Sequence, residues 1–322
     1  MFRQIQQTVI FSILCTLTPN AHGVLKEADL EKIQYDANQS FPGYIIPNEA
    51  SYFNFEAVNR GKKGVLISLG TFRALVAASY GNFNEVILAD LDQSVVDFNK
   101  KQIEYLQSSE TVVEFLAKVG QRPYSKKEIE GALNGDAGLI KGFQQESQTS
   151  RSIGFRYLAS LIEFAQTDPS HSFLKDPAAY QKLRQLALNG KIHSMAADLT
   201  SERTYLELAQ LIRADKNEVS VIDVSNAPDY IIENQKMDLY LRNLQALPLA
   251  KNAIVNFTTI HGANKKDIFN VDSQWTYVSV PAKQYIEAAQ SEPWNEIQDF
   301  QRFLRDPSIT MPSVVRCKSV LL

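Results

Sequence analysis

The chain has 322 residues, of which 44% are hydrophobic and 21% are charged, a composition that is ordinary for a soluble globular protein and argues against disorder. Its 33 Lys and Arg residues against 36 Asp and Glu residues give a formal net charge of -3 at pH 7. This balance argues against nucleic acid or an anionic membrane surface as a partner.

The N-terminus has the layout of a secretory signal peptide. Arg3 precedes an apolar run over residues 9–17, and small residues follow at Ala21 and Gly23. The run is shorter than the roughly 20 apolar residues that span a bilayer, so no stable membrane anchor is expected after cleavage. We therefore predict a leader over residues 1–23 and a periplasmic or secreted protein. A buried N-terminal helix is the alternative.

The remaining residues, 24–322, are predicted to form one domain built on six β-rich runs. These runs are VLISLG (65–70), VILAD (86–90), IHSMAAD (192–198), VSVIDVS (219–225), AIVNFTTI (253–260) and TYVSVP (276–281). Helical patterns are predicted at 72–80, 93–107, 201–214, 231–245 and 284–304. Continuous apolar strands that alternate with helices predict an α/β fold with a doubly wound, mostly parallel sheet. The C-terminal segment is predicted as an edge strand or a tail.

A long stretch separates the second run from the third. It has about a hundred residues where a minimal βαβ unit needs roughly thirty, and it contains helical patterns such as VVEFLAKVG and FRYLASLIEFAQ. We predict a helical insertion over about 101–190, with loops at 134–142 and 167–172. Asp176 is predicted to cap a helix that begins at Pro177.

The turns after the strands are the candidate ligand site, because ligands of doubly wound sheets bind outside the carboxyl ends of the strands. Gly70 permits a sharp turn that brings helix amides toward a ligand. Asp90 is placed to accept hydrogen bonds from ribose hydroxyls, and Asp198 to meet the edge of a base. Asp223 and Asn226, after the fourth run, are the candidates to face a reacting group.

Each of these residues also has a structural interpretation. Gly70 lacks the GxGxxG spacing of a dinucleotide site and fits a simple turn. Either Asp90 or Asp92 is expected to cap the helix that starts near Gln93. Asp198, in DLTSE, fits a helix start, and the residues after Asp223 fit a turn.

Other chemical motifs are sparse. The four histidines show no HxxxH or His/Cys pairing, so no metal site is expected. His261, just past a strand, is the best candidate for a general base, with a surface turn as the alternative. No GxSxG or GxxxxGK[ST] motif occurs, which disfavours the usual hydrolase and P-loop classes. Arg73, at the start of the first helix after a strand, could meet an anion or a carboxylate, with a solvated helix arginine as the alternative.

The stretches VLISLG, VILADLD and AADLTS together resemble the core of the class I S-adenosylmethionine-dependent methyltransferases. More closely, the chain resembles an uncharacterised bacterial family with that Rossmann-like fold. The segments that carry this likeness are PNEASYFNF (47–55), HSFLKDPAAYQKL (171–183), AADLTS, VIDVSNAPDYI and NLQALP (243–248). The resemblance implies Gly70 at the methionine end of S-adenosylmethionine, Asp90 on its ribose hydroxyls and Asp198 toward its adenine.

The expected function is therefore a methyltransferase-like protein with an unknown acceptor, in which catalysis rests on positioning rather than on acid-base residues. The methyltransferase motif has an acid and two further glycines where this chain has Ser68, Phe72 and Ala74. This departure keeps open an alternative, a non-catalytic Rossmann-like protein that binds a small molecule or a protein. A nicotinamide-dependent dehydrogenase is disfavoured by the missing GxGxxG.

Overall fold

A seven-stranded sheet forms the centre of the protein, in the order β3-β2-β1-β4-β5-β6-β7. The strands are β1 (Val65–Leu69), β2 (Glu85–Asp90), β3 (Ile192–Ala196), β4 (Val219–Asp223), β5 (Leu249–Thr259), β6 (Gln274–Pro281) and β7 (Ser313–Lys318). Strands β1 to β5 pair in parallel, and β6 is antiparallel to both β5 and β7. The order of the first five strands is that of a doubly wound sheet, whose direction of winding reverses between β1 and β4.

This computed structural model describes residues 25–33, 45–46, 58–121, 125–167, 172–259, 274–306, 308–309 and 313–318. The leader predicted over residues 1–23 and the candidate base His261 lie outside them. Among the described helices, none is long and apolar enough to cross a membrane.

Helices cover both faces of the sheet. They are α1 (Glu27–Glu31), α2 (Phe72–Tyr80), α3 (Gln93–Gln107), α4 (Val112–Gly120), α5 (Lys126–Leu133), α6 (Ala137–Thr149), α7 (Ile153–Thr167), α8 (Pro177–Leu188), α9 (Thr204–Ala214), α10 (Ala227–Glu233), α11 (Met237–Ala246), α12 (Ala282–Ser291) and α13 (Ile297–Phe303). Strands covered on both faces need apolar side chains in both directions, which explains the continuous apolar runs. The predicted fold class, an α/β fold with a mostly parallel doubly wound sheet, is confirmed at this level.

Five helices, α4 to α8, lie between α3 and β3, where a helical insertion was predicted. Their apolar side chains join one core cluster with α2 and the sheet. The ring of Phe72 on α2 packs edge-on against Phe164 at 4.8 Å and Phe173 at 6.0 Å between centroids. The inserted segment therefore contributes to the main core. On the opposite face of the sheet, apolar side chains of α1 and α9 to α13 form a second core cluster.

The loop predicted at 134–142 is wrong, because most of it is the first part of α6. Asp136 caps this helix, and its Oδ1 accepts hydrogen bonds from the N–H groups of Gly138 at 2.9 Å and Leu139 at 3.1 Å. The turn itself is short and uses Gly135 at a φ of +91°. Two glycines inside the following pattern disguised the helix, since glycine is a poor helix former.

Two helices predicted as continuous are each divided in two. The pattern at 231–245 is interrupted after Asn234, where Gln235 takes a φ of +56°. The pattern at 284–304 is interrupted at Glu292 and Pro293, because proline cannot donate the next helical hydrogen bond. The predicted cap at Asp176 is confirmed: its Oδ1 accepts from the Ala178 N–H at 2.8 Å.

Candidate functional site

Four turns meet at one edge of the sheet, which we call the carboxyl edge: the carboxyl ends of β1 to β4 and the residues that follow them. Gly70 follows β1, Asp90 ends β2, Asp198 lies two residues past β3, and Asp223 ends β4. Parallel pairing of these neighbouring strands brings the four turns to the same edge, as the strand pattern predicted.

Gly70 forms the tight turn between β1 and α2. Its φ is +82°, a left-handed conformation that favours glycine. No described heavy atom lies within 4 Å of the point where a Cβ would stand. The Gly70 carbonyl accepts a hydrogen bond from Asn99 Nδ2 at 3.0 Å, which ties the turn to α3. The backbone here is thus fixed in place, and among the described residues no atom stands in front of it.

Asp90 is joined to this turn through its carboxyl group. Its Oδ2 accepts from the Gly70 N–H at 3.1 Å, and its Oδ1 accepts from the Asp92 N–H at 2.9 Å. Burial raises the pKa of Asp90 to about 6, and the hydrogen bonds from Asp92 and Gly70 lower it only in part. The residue nevertheless keeps some exposure. Asp92, not Asp90, caps α3, and its Oδ1 accepts from the Ser94 N–H at 2.8 Å.

Asp198 shapes the loop that leaves β3. Its Oδ1 accepts from both the N–H group and the hydroxyl of Thr200, at 2.7 and 2.8 Å. Helix α9 begins only at Thr204, where the Ser201 hydroxyl accepts from the Thr204 N–H at 3.1 Å. Asp198 is partly exposed and belongs to the carboxyl edge, but one of its carboxylate oxygens is already used by the loop.

Asp223 is buried in an ion pair with Arg73. The Arg73 Nε lies 2.7 Å from both carboxylate oxygens, and a terminal guanidinium nitrogen lies 2.7 Å from Oδ1. The exposed fraction is 0% for Asp223 and 2% for Arg73. The Ser68 hydroxyl also donates to Asp223 at 3.2 Å, and the guanidinium lies 5.8 Å from the ring centre of Tyr277.

Phe72 and Arg73, the two bulky residues in the first turn of α2, have different surroundings. Phe72 packs into the core beside the insertion helices, away from the edge. Arg73 lies under the edge, between β1 and β4, where the winding of the sheet reverses. The sequence raised the idea that Arg73 meets a carboxylate; that carboxylate is the chain's own Asp223.

Asn226 is partly exposed in the turn after β4. Ser225, just before it, takes a φ of +49°, and its carbonyl accepts from the Thr258 N–H at 2.9 Å. The Asn226 side chain makes no cap hydrogen bond to α10. Ser225 and Asn226 therefore form a turn, and Asn226 also presents a polar side chain at the edge.

A row of buried polar residues crosses the sheet just beneath the edge, and the sequence analysis missed two of them. Ser68 stands opposite Asp223, Asp223 opposite Asn256, and Asn256 opposite Ser279. All four are fully buried. The Ser279 hydroxyl donates to Asn256 Oδ1 at 2.7 Å, while Asn256 Nδ2 has no partner among the described residues. The signal was present as single polar letters inside apolar runs, VLISLG, AIVNFTTI and TYVSVP.

The one histidine that the structure describes, His193, lies away from this edge. It sits near the start of β3, with Nε2 2.9 Å from Glu85 Oε2 and Nδ1 3.4 Å from Glu27 Oε2. Within the described part of the chain, no three His, Cys, Asp or Glu residues are grouped so that they could hold a metal ion. Among the described residues, the carboxyl edge presents carboxylates, amides, hydroxyls and backbone N–H groups.

Comparison with known proteins gives one family. The model of a domain of unknown function, DUF7790, matches residues 44–308, which include the whole of β1 to β6 and every turn of the carboxyl edge. No curated protein matches the chain. Because the match covers well over half of the chain, the protein belongs to the DUF7790 family, whose function is unknown.

Proposed function

We propose that the protein binds S-adenosylmethionine at the carboxyl edge, as a methyltransferase-like protein with an unknown acceptor. The observation that carries the proposal is the joined unit of Gly70 and Asp90. An open, left-handed glycine stands beside a partly exposed carboxylate that two backbone N–H groups hold in place. This is the arrangement that recognition of a ribose beside a close backbone turn requires.

Asp90 retains the capacity to accept more hydrogen bonds. An ionised carboxylate has about four acceptor positions; the Gly70 and Asp92 N–H groups use two of them, and the Leu91 N–H also acts on this carboxyl group. A ribose hydroxyl could use a position that remains. Because the pKa of Asp90 is raised to about 6, the group is ionised, and a better acceptor, above that pH.

The remaining residues have supporting roles in this proposal. Asn99 holds the Gly70 turn, and Asp198, in the loop after β3, would contact the adenine. When bound, S-adenosylmethionine supplies a methyl group on a sulfonium that needs no acid or base to activate it. The chain's contribution would be to hold the two reactants in line, a positioning effect.

A second candidate function is favoured by the Arg73–Asp223 pair. Arg73, the second residue of α2, and Asp223, the acid that ends β4, form an ion pair in the core. A protein whose residues at the reversal point are engaged in structure fits a non-catalytic binding role. In that case the edge would take a nucleoside or another small polar molecule without any reaction.

Calorimetric titration of the full chain with S-adenosylmethionine and, separately, S-adenosylhomocysteine tests the proposal. At pH 8, where Asp90 is ionised, we expect micromolar dissociation constants. Asp90→Asn should weaken binding at least tenfold, because the amide presents a donor where the carboxylate accepts. Asp97→Asn is the matched control, since Asp97 is exposed on α3 and only accepts from Gln93.

Gly70→Ala gives a second variant should Asp90→Asn unfold. Its added methyl group meets no described atom, so it obstructs a ligand more than the fold, although the positive φ adds some strain. Weaker binding in this variant with a retained cooperative melt supports the site. Absence of heat and of any thermal shift with millimolar ligand would overturn the cofactor proposal and leave the non-catalytic candidate.

A further inference from the structure

A chain of side-chain hydrogen bonds connects the helical insertion to the Gly70 turn. It begins at Tyr157 on α7, whose hydroxyl donates to Gln102 Oε1 on α3 at 2.7 Å. Gln102 Nε2 donates to Asn99 Oδ1 at 3.0 Å, and Asn99 Nδ2 donates to the Gly70 carbonyl at 3.0 Å. We call Tyr157, Gln102 and Asn99 the relay. It joins a helix of the insertion to the backbone of the carboxyl edge.

All three side chains of the relay are buried, with an exposed fraction of 0% for each. A buried amide that loses a hydrogen-bond partner costs free energy, so each member of the relay holds the next in one orientation. The relay starts with a donor. Burial raises the pKa of Tyr157 well above the ordinary value of 10, so the phenol keeps its proton and can donate it to Gln102.

Rigid elements carry every member of the relay. The ring of Tyr157 lies 4.9 Å from that of Phe98 on α3 and 6.4 Å from that of Phe72 on α2, between centroids and nearly edge-on. Such edge-to-face contacts fix a buried ring and therefore place its hydroxyl. Asn99 and Gln102 are three residues apart on α3, so their side chains share one face of that helix.

Gly70 is the residue at which the relay meets the proposed site. Its carbonyl accepts from Asn99, and its N–H donates to Asp90 Oδ2 at 3.1 Å. Glycine has the greatest backbone freedom, so hydrogen bonds from neighbours are needed to keep this turn in one conformation. Burial raises the pKa of Asp90, and the Gly70 N–H is one of the hydrogen bonds that lower it in part. A displaced turn would therefore change the acidity of Asp90.

We infer that Tyr157 and Gln102 are positioning residues, through which the helical insertion holds the Gly70 turn in the geometry that a ligand of the carboxyl edge meets. The inference rests on the proposed function for the identity of that ligand, whereas the coupling is a property of the ligand-free chain. It gives the insertion a role in the site as well as in the core.

Hydrogen exchange and NMR titration of the ligand-free full chain test the coupling. Tyr157→Phe removes the hydroxyl and keeps the ring, so Gln102 loses the donor that orients it. We expect the Gly70 amide to exchange about fivefold faster or more. The pKa of Asp90 should rise, because the Gly70 N–H then supports its carboxylate less. Gln102→Met should give both changes, and the double variant should add nothing to them, because the links act in series.

Tyr240→Phe is the matched control. It also removes one buried tyrosine hydroxyl, which lies 3.2 Å from the Tyr285 hydroxyl in the cluster on the opposite face of the sheet. Gly70 exchange and the pKa of Asp90 should not change in this variant, which separates the relay from a general loss of core stability. Unchanged values in Tyr157→Phe, or changes of equal size in Tyr240→Phe, would overturn the inference. Should Tyr157→Phe not fold, Gln102→Met decides in the same way.

Affinity for S-adenosylmethionine is a separate measurement. Under the proposed function, Tyr157→Phe should weaken calorimetric binding about threefold, the effect of one hydrogen bond lost at a distance from the ligand. Absence of binding in the unaltered chain would overturn the proposed function alone, because the exchange and titration experiments need no ligand.

Discussion

Asp90 ends β2 and Asp223 ends β4, on either side of β1, but the hydrogen-bond partners of the two carboxylates differ. Asp223 is fully buried and has a guanidinium against both oxygens. Asp90 has only backbone N–H groups as hydrogen-bond partners in its immediate turn, and burial raises its pKa to about 6. Acids whose environments differ in this way commonly have different roles. This contrast assigns Asp223 to the stability of the edge and supports the proposal that Asp90 contacts a ligand.

Arg73→Met and Asp223→Asn should each strongly destabilise the fold. Removing one partner leaves the other charge buried, which costs about 3–5 kcal/mol in the free energy of unfolding. The double variant Arg73→Met/Asp223→Asn should cost less than the sum of the single changes, because neither charge remains. Urea unfolding of the four proteins gives this cycle.

The matched control for this cycle is Arg203→Met, at an exposed pair with Glu207. Such a surface pair contributes about 0–1 kcal/mol, so little change is expected. If Asp223→Asn instead kept full stability, the structural role of Asp223 would be refuted and the residue would again be a candidate for the reacting end of the site.

At the scale of elements, the loop after β3 depends on α11. Asn243 is buried, and its Nδ2 donates to the carbonyls of Leu199 at 2.9 Å and Ser201 at 2.7 Å. Arg242 adds a bond to the Ser201 carbonyl at 3.0 Å. A side chain on one helix thus fixes the loop that presents Asp198. Asn243 is also the first residue of NLQALP, a segment that the sequence analysis singled out without a role.

Asn243→Ala should loosen this loop. It removes the Asn243 donor from the Leu199 carbonyl and leaves the Ser201 carbonyl with the bond from Arg242, a loss of about 1–3 kcal/mol. Hydrogen exchange should show faster exchange over residues 199–204 than in the unaltered chain, while β1 and β2 remain protected. Asn234→Ala, which removes one exposed bond to the Tyr230 carbonyl, is the control. Uniformly faster exchange across the sheet would contradict a local role.

Strands and helices were predictable from the sequence where a short run of residues defines them. The runs at 65–70 and 86–90 and the helices at 72–80 and 93–107 were correct, because a continuous apolar run followed by a helical period has few other interpretations. Long-range pairing was not predictable. Arg73 and Asp223 are 150 residues apart, and no spacing rule connects them.

The same limit explains what was missed in the site. The four turns were identified because strand ends follow from strand patterns. Asp223 is paired with a cation and Asp90 is not. This difference depends on side chains from other elements, which the strand patterns do not show. The role of Asn243 also depends on contacts, since its two partners lie more than forty residues earlier in the chain.

At the scale of the whole molecule, the opposite end of the strands has an ionisable connection of its own. His193 on β3 is 3% exposed and lies between Glu85, the first residue of β2, and Glu27 on α1. Helix α1 also buries Leu30 in the cluster on this face. The imidazole therefore links the first described helix to the sheet at the end remote from the carboxyl edge.

The stability of this connection should depend on pH. Burial alone lowers the pKa of His193, but hydrogen bonds and charge interactions with Glu27 and Glu85 outweigh it, so the pKa is raised above the ordinary 6.5. The folded protein then holds the proton more tightly than the unfolded chain does. The resulting stabilisation is fully present below about pH 6.5 and is lost as the pH rises through the folded-state pKa.

Urea unfolding between pH 6 and 9 tests this linkage. The unaltered chain should lose stability as the pH rises in this range, and His193→Gln should show a smaller loss, because glutamine does not titrate. The pKa of Asp90, about 6, contributes little above pH 6.5, since that carboxyl group is then mostly ionised in both states. Parallel pH profiles for the two proteins would mean that folding does not change the pKa of His193, and would contradict this linkage. Ligand affinity at the carboxyl edge should be unaffected by the substitution, because the two ends of β2 have no titrating group in common.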